Sequence, residues 1–269
     1  MNNQFLRPGR VLVYAHRGGG GLAPENTMAA FRQAAEMGVD GLELDVHVTA
    51  DGVVVVSHDP DLGRMTDREG VIREMTLAEV QAADAGYRWS DDGGQTFPFR
   101  GRGERIPTLE AVLGEFNHLP MSIDLKQHDE AMIEPFVALV KKYKMENKLV
   151  VGSFDQKTLR RFQEVVPQVV PAATLQEARR FFVMHKLYLS RLYRGRAGMF
   201  SIPETSEDGK IKLLSPRLVA DLKRQGLPVH IWTVNEEEQM ERLITWGVDA
   251  LITDYPDRAL RLLGRANFA

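Results

Sequence analysis

The chain has 269 residues, 43% of them hydrophobic, and carries 34 Lys and Arg against 37 Asp and Glu for a net charge of −3. That near-balance gives no general attraction to nucleic acid, and the absence of cysteine excludes disulfides and thiolate metal sites. A bound metal would need carboxylate, imidazole, carbonyl or water ligands, which favours Mg2+ or Ca2+ where carboxylates lead.

The elements follow one another in a β/α alternation. Val11–Tyr14 reads as a first strand. Asn26 can cap a helix running to about Met37, with Met28, Phe31, Ala34 and Ala35 on one face and Gly38 ending it. A second strand covers Gly41–Val46. Ala50-Asp51-Gly52 then separates two β-branched runs, a hairpin signal, and antiparallel pairing about Asp51 puts His58 roughly opposite Asp45. Residues 60–105 are polar and rich in Gly and Asp, with one helix at Thr76–Ala85; they read as an insertion between units of a single domain spanning 1–269.

Further strands are expected at Met121–Leu125, Leu149–Gly152, Val169–Ala172, Met199–Ile202, Val229–Thr233 and Ala250–Ile252. Helical patterns lie between most of them, among them Ala131–Tyr143, Pro216–Gln225 and Glu236–Trp246. Eight strands with intervening helices favour an α/β chain folded as a (β/α)8 TIM barrel, with an open doubly wound sheet as runner-up. No apolar run reaches the ~20 residues that span a bilayer, and Met1–Arg10 lacks the apolar core of a secretory signal. The expected location is cytoplasmic, with a membrane-peripheral habit left open.

The residues suited to chemistry end these strands. Glu43 and Asp45 are two apart on a strand and share a face, so a barrel interior receives two carboxylates at the end where barrel sites lie. Two like charges so close need a cation or a proton between them; solvated acids on an edge strand are the plainer reading. Asp124 and Lys126 repeat the spacing, as a third oxygen ligand and a cation for a phosphate oxygen, or as a structural ion pair. His16 suits acid/base work and Arg17 offers a fork for phosphate. The glycine run at 18–21 reads as a flexible loop without a dinucleotide or P-loop fingerprint. Glu25 and Asn26 either cap the helix or support Arg17 from behind. His47 shares Asp45's face one step beyond the rim. Trp232 is either an apolar wall for substrate or a core residue. His118, His128, His185 and His230 read as ordinary surface or core residues.

Taken together, His16-Arg17-Gly18 with Pro24-Glu25-Asn26-Thr27, Glu43-Leu44-Asp45 with Thr49-Ala50-Asp51-Gly52, Val56-Ser57-His58-Asp59, Ile123-Asp124-Leu125-Lys126, Ser153-Phe154, Trp232-Thr233-Val234-Asn235 and Thr253-Asp254-Tyr255-Pro256 resemble the glycerophosphodiester phosphodiesterase family from Val11 to about Leu262. The resemblance implies a TIM barrel with a small insertion after the second strand. It also implies Mg2+ or Ca2+ held by Glu43, Asp45 and Asp124, an acid/base pair of His16 and His58, and phosphate contacts from Arg17 and Lys126. The implied reaction cleaves glycerophosphodiesters to glycerol 3-phosphate and an alcohol, through a cyclic phosphate or by direct attack of water. Many members carry Glu where this chain has Asp124; that departure is similar to the lysophospholipase D-type branch, whose members release lysophosphatidic acid from lysophospholipids. The expected partner is thus a small phosphodiester or a lysophospholipid.

One segment lies outside these motifs. Arg179–Arg196 interleaves Phe181, Phe182, Met184, Leu187, Tyr188, Leu189, Leu192 and Tyr193 with six cations. It reads as an anionic-membrane contact, as a wall for an acyl chain, or as a barrel helix with snorkelling arginines.

Overall fold

The computed structural model describes residues 9–127, 130–153, 155–206 and 209–265. His128, Phe154 and all but the last two residues of Met1–Arg10 lie outside that set. The elements are β1 (Leu12–Ala15), α1 (Met28–Met37), β2 (Gly41–Val48), β3 (Val54–Val56), α2 (Leu77–Val80), α3 (Leu109–Phe116), β4 (Met121–Leu125), α4 (Ile133–Lys142), β5 (Leu149–Gly152), α5 (Gln156–Val165), β6 (Val170–Pro171), α6 (Leu175–Lys186), β7 (Phe200–Pro203), α7 (Pro216–Arg224), β8 (Val229–Trp232), α8 (Glu237–Trp246), β9 (Ala250–Thr253) and α9 (Pro256–Leu262).

Eight strands run parallel in the order β6-β5-β4-β2-β1-β9-β8-β7, and β3 lies antiparallel on β2. The two end strands meet through one bridge, Ala172 to Met199. Two further bonds flank it: Gly198 N–H donates to the Pro171 carbonyl at 3.0 Å and Ala173 N–H to the Met199 carbonyl at 2.9 Å. The sheet therefore curls into a TIM-barrel-like fold, as the eight-fold alternation predicts.

Alternation along each strand sorts the core into two layers. Leu12, Tyr14, Val150, Ala172, Met199, Ala250 and Ile252 fill the barrel interior. Val13, Ala15, Leu42, Leu44, Val46, Ile123 and Leu125 face outward against the helices. Each fully buried aliphatic side chain there contributes about 1.5–3 kcal/mol, so the helices are held by burial rather than by propensity.

Two local expectations are corrected. Asn26 does not cap α1; Thr27 does, its hydroxyl accepting from Ala30 N–H at 3.3 Å. The helix expected over Thr76–Ala85 begins with a capping box from Thr76 and Glu79 but ends at Val80. Beyond it the chain turns Ala83 and Ala85 into a satellite cluster with Val55, Leu62, Ile72, Val80 and Ile106, and that burial outweighs continuing the helix. Among the described residues no helix is long and apolar enough to cross a membrane.

Candidate active site

The C-terminal ends of β1, β2, β4 and β9 bring four groups of polar side chains together. On β2, Glu43 and Asp45 point inward while Leu42, Leu44 and Val46 point out. Parallel pairing sets Asp45 directly beside Asp124 of β4. Room for Asp124 comes from the next strand: a Cβ on Gly152 of β5 would lie 2.5 Å from Asp124 Oδ1. The three carboxylates thus share one wall of the barrel mouth.

Their partners differ. Lys126 Nζ lies 3.0 Å from Asp45 Oδ1 and 2.9 Å from Asp124 Oδ2. Arg17 Nε is 3.4 Å from Asp45 Oδ2, and Asn26 Nδ2 donates to the same oxygen at 3.1 Å. Burial pushes the Asp45 carboxyl up, but Lys126, Arg17 and His58 overcome it and hold the group below its usual range. Among the described residues Glu43 accepts one hydrogen bond, from the Arg17 backbone N–H at 3.0 Å, with His16 Nε2 3.9 Å away. Burial and the charge of Asp45 push its carboxyl up to about 7, with a smaller contribution from Asp124.

In chemistry, though not in arrangement, this donor set suits a divalent cation. Three carboxylates form a hard, all-oxygen set of the kind Mg2+ and Ca2+ take, and Glu43 is a buried acid whose ionisation calls for a nearby positive charge. The residue types therefore fit. Among the described residues, however, no three such side chains converge on one point. Instead the Lys126 ammonium joins Asp45 to Asp124.

Both sequence-predicted histidines stand at this mouth, and each carries a carboxylate on Nδ1. His16 closes β1, with Nδ1 2.7 Å from Asp254 Oδ1. Asp254 is fixed in turn by Asn235, whose Nδ2 donates to Oδ2 at 2.8 Å and whose Oδ1 accepts from the Asp254 N–H at 3.0 Å. Burial pushes the His16 imidazole down, yet Glu43 and Asp254 together raise it above its ordinary value. His58 Nδ1 lies 2.7 Å from Asp59 Oδ1, and Arg64 is ion-paired to the other oxygen of Asp59. Asp254 and Asp59 are both held below the usual carboxylate range, through His16 and through His58 and Arg64 respectively, against the opposing effect of burial. An ionised carboxylate only accepts, so each Nδ1 carries the proton and each Nε2 is left to exchange one.

The hairpin register is one residue off the sequence expectation. Val46 pairs with Val56, and Ser57 N–H donates to the Asp45 carbonyl at 3.0 Å, so Ser57 rather than His58 stands opposite Asp45. His58 still returns to the mouth, where it lowers the Asp45 carboxyl. His47 is buried and holds the His58 carbonyl through Nε2 at 3.1 Å.

The glycine run is not a flexible loop. It is pressed between β9 and the insertion, and a Cβ on Gly21 would lie 2.5 Å from the Tyr255 ring. Trp89 of the insertion donates Nε1–H to the Gly20 carbonyl at 2.9 Å. A cavity of about 560 Å3 opens above, lined by His16, Arg17, Trp89, Asp91, Asn235 and Tyr255 among others. Arg17 Nη1 donates to Glu25 Oε1 at 3.0 Å, and Arg64 Nη2 reaches the same carboxylate at 2.5 Å. Trp232, at the end of β8, is half-buried against the interior cluster. Asp59, Asn235 and Asp254 stand in the sequence motifs without an assigned task, and Arg64 stands outside them. The adjacency of His58 and Asp59 was a usable signal, whereas the meeting of His16 with Asp254 required the closed barrel.

The glycerophosphoryl diester phosphodiesterase family model matches residues 16–258. A glycerophosphodiester phosphodiesterase from Caldanaerobacter subterraneus is 34% identical over 94% of this chain and 98% of its own length. A lysophospholipase D from Homo sapiens is 30% identical over 91% of this chain and 83% of its own. Among solved structures, an Oleispira antarctica phosphodiesterase in complex with the product sn-glycerol-3-phosphate superposes with a TM-score of 0.76 at 26% identity, over 97% of this chain and 98% of that one.

Proposed function

Since this chain belongs to the glycerophosphoryl diester phosphodiesterase family, we propose that it is a phosphodiesterase that cleaves water-soluble glycerophosphodiesters to glycerol 3-phosphate and an alcohol. The observation that carries this reading is the pair of histidines at one mouth, each bonded at Nδ1 to an ionised aspartate. Phosphodiester cleavage needs one group to take a proton from the nucleophile and another to give one to the leaving alkoxide. His16 and His58 serve as that pair through Nε2. One of them takes the proton from the substrate's own hydroxyl or a water, and the other gives one to the leaving alkoxide.

Arg17 orients the phosphate with the fork of its guanidinium, steadied by Glu25. Lys126 exchanges its carboxylate partners for a non-bridging phosphate oxygen. Glu43, Asp45 and Asp124 would hold a divalent cation, Mg2+ or Ca2+, with Asn26 orienting Asp45 from behind. The chemistry supplied with such an ion bound is charge neutralisation at the non-bridging oxygens. Glu43, raised by burial and by Asp45, is the carboxylate whose ionised form such a charge would favour. Trp232 supplies an apolar side to the substrate at the end of β8.

The alternative substrate is a lysophospholipid. Asp124 in place of Glu and the human lysophospholipase D relative favour it; the polar lining of the cavity, with Arg88, Ser90 and Asp91, favours a small head group without an acyl chain. A panel of glycerophosphocholine against lysophosphatidylcholine, run with Mg2+, with Ca2+ and with EDTA, separates the two. His16→Ala and His58→Ala should each cost roughly 10²–10⁴ in rate. Near-normal turnover by both variants would overturn the assignment.

A further inference from the structure

The end of α6 is exposed, apolar and basic in one continuous surface. Six of the nine exposed large hydrophobic residues among those described fall between Leu175 and Leu192. Five of them, Val183, Leu187, Tyr188, Leu189 and Leu192, are 55%, 61%, 81%, 45% and 62% exposed. Arg179, Arg180, Val183, Lys186 and Leu187 share one helical face by their spacing, and Arg191, Arg194 and Arg196 continue the basic character beyond it. No Asp or Glu occurs from Ala178 to Pro203, in a chain whose net charge is −3. Among the described residues none of these six cations is ion-paired to a carboxylate.

The surface has a firm base. Phe181, Tyr193 and Phe200 stack beneath it, with centroids 5.0–6.1 Å apart. The Arg217 guanidinium lies 4.2 Å from the Tyr188 ring centroid, and buried His185 is bonded to Asp221 at 2.6 Å. The apolar side chains therefore stay outward because the inward positions are already filled.

Its place in the barrel is informative. α6 starts at the rim that carries His16 and Asp254 and runs back toward the strands' N-terminal ends. Gln225, directly after α7 and just before β8, donates Nε2–H to the Ser190 carbonyl at 3.1 Å, which fixes residues 187–192 at the end of the barrel opposite the catalytic mouth. This rules the segment out as a wall for a substrate's acyl chain.

We propose that this surface docks the protein on an anionic lipid bilayer, with the catalytic mouth turned away from the membrane. Apolar side chains at the centre enter the headgroup boundary while Arg and Lys around them meet anionic headgroups. A second copy of the chain is a poorer occupant: self-complementary pairing would set this arginine-rich surface against itself. The inference goes beyond the proposed chemistry and does not depend on it.

Co-sedimentation of the full chain with phosphatidylcholine vesicles, with and without roughly a third phosphatidylglycerol, tests it. The wild type should pellet with the anionic vesicles at low salt and be released by high salt. The variants L187D/L192D and R191E/R194E, all on exposed positions, should each lose about tenfold or more in binding while keeping the wild-type thermal midpoint and vesicle-free turnover of glycerophosphocholine. A wild type that stays in the supernatant at low salt overturns the proposal, as do variants that pellet equally well. A dimer in size exclusion that L187D/L192D splits overturns it in favour of self-association. Failure of turnover without vesicles is a separate result, and counts against the chemistry rather than this surface.

Discussion

His16 and Asp254, 238 positions apart in the chain, meet at 2.7 Å where β1 and β9 lie side by side. Because the carboxylate accepts from Nδ1, it fixes both the tautomer and the angle at which Nε2 faces the mouth. Asp254→Asn keeps the shape but presents an amide in place of the acceptor-only group. Turnover should fall roughly 10²–10⁴-fold, with KM changed far less. Steady-state kinetics on glycerophosphocholine check this, and a kcat within about threefold of wild type would remove Asp254 from the machinery.

Glu43 sets a pH dependence of stability. Its carboxyl is raised from 4.5 to about 7 in the folded state, so its contribution is fully present below about pH 4.5 and is lost as pH rises through 7. Without divalent ions, Glu43→Gln should therefore be more stable than wild type near pH 8, by up to roughly 3 kcal/mol, and similar to it near pH 4.5. Thermal unfolding in EDTA at the two pH values measures the difference. The same variant should lose activity, and a variant no more stable than wild type near pH 8 contradicts the placement of this acid.

Lys126 bridges two carboxylates that are proposed cation ligands. Lys126→Met leaves both acids facing each other, costing about 2–3 kcal/mol, less than for a fully buried pair because Asp124 retains some exposure. Added Mg2+ or Ca2+ should restore more stability to this variant than it gives the wild type. Equal thermal shifts for the two proteins would separate Lys126 from the cation site.

Gly152→Ala places a methyl 2.5 Å from Asp124 Oδ1. Asp124 must turn away, and the concentration of cation needed for half-maximal activity should rise about 10–100-fold. Titration of activity with Mg2+ reads this directly; an unchanged midpoint would argue that Asp124 is not a ligand.

Much of the fold was legible because burial follows period. The parallel strands alternate inward and outward as their sequences do, and the Asp51-Gly52 turn brought His58 back to Asp45's neighbourhood with a register error of one. What escaped was decided at longer range. Asn26 looks like a cap, but Asp45 takes its amide and Thr27 caps in its place. The glycines at 18–21 look like slack, yet Tyr255 and Trp89 press on them. Asp254 belongs to a sequence motif, but its task shows only when β9 lands beside β1 and brings it to His16. The ion pair of Lys126 with Asp124 was among the readings of their spacing and is what forms, but the reach of Lys126 to Asp45 on the neighbouring strand was not.

The barrel's hoop is fastened at one point. β6 contributes two residues, and its link to β7 is the single bridge from Ala172 to Met199 with two flanking hydrogen bonds. By contrast β1 pairs with β9 over four positions and β2 with β4 over five. The molecule thus behaves as a curled sheet with a latch. Local opening should begin at that latch, so the amides of Ala173 and Gly198 should exchange with solvent well before those of β1 and β2. The proposed catalytic histidines follow β1 and the hairpin on β2, in the middle of the strand order and away from that seam, so the candidate site should keep its geometry while the seam breathes.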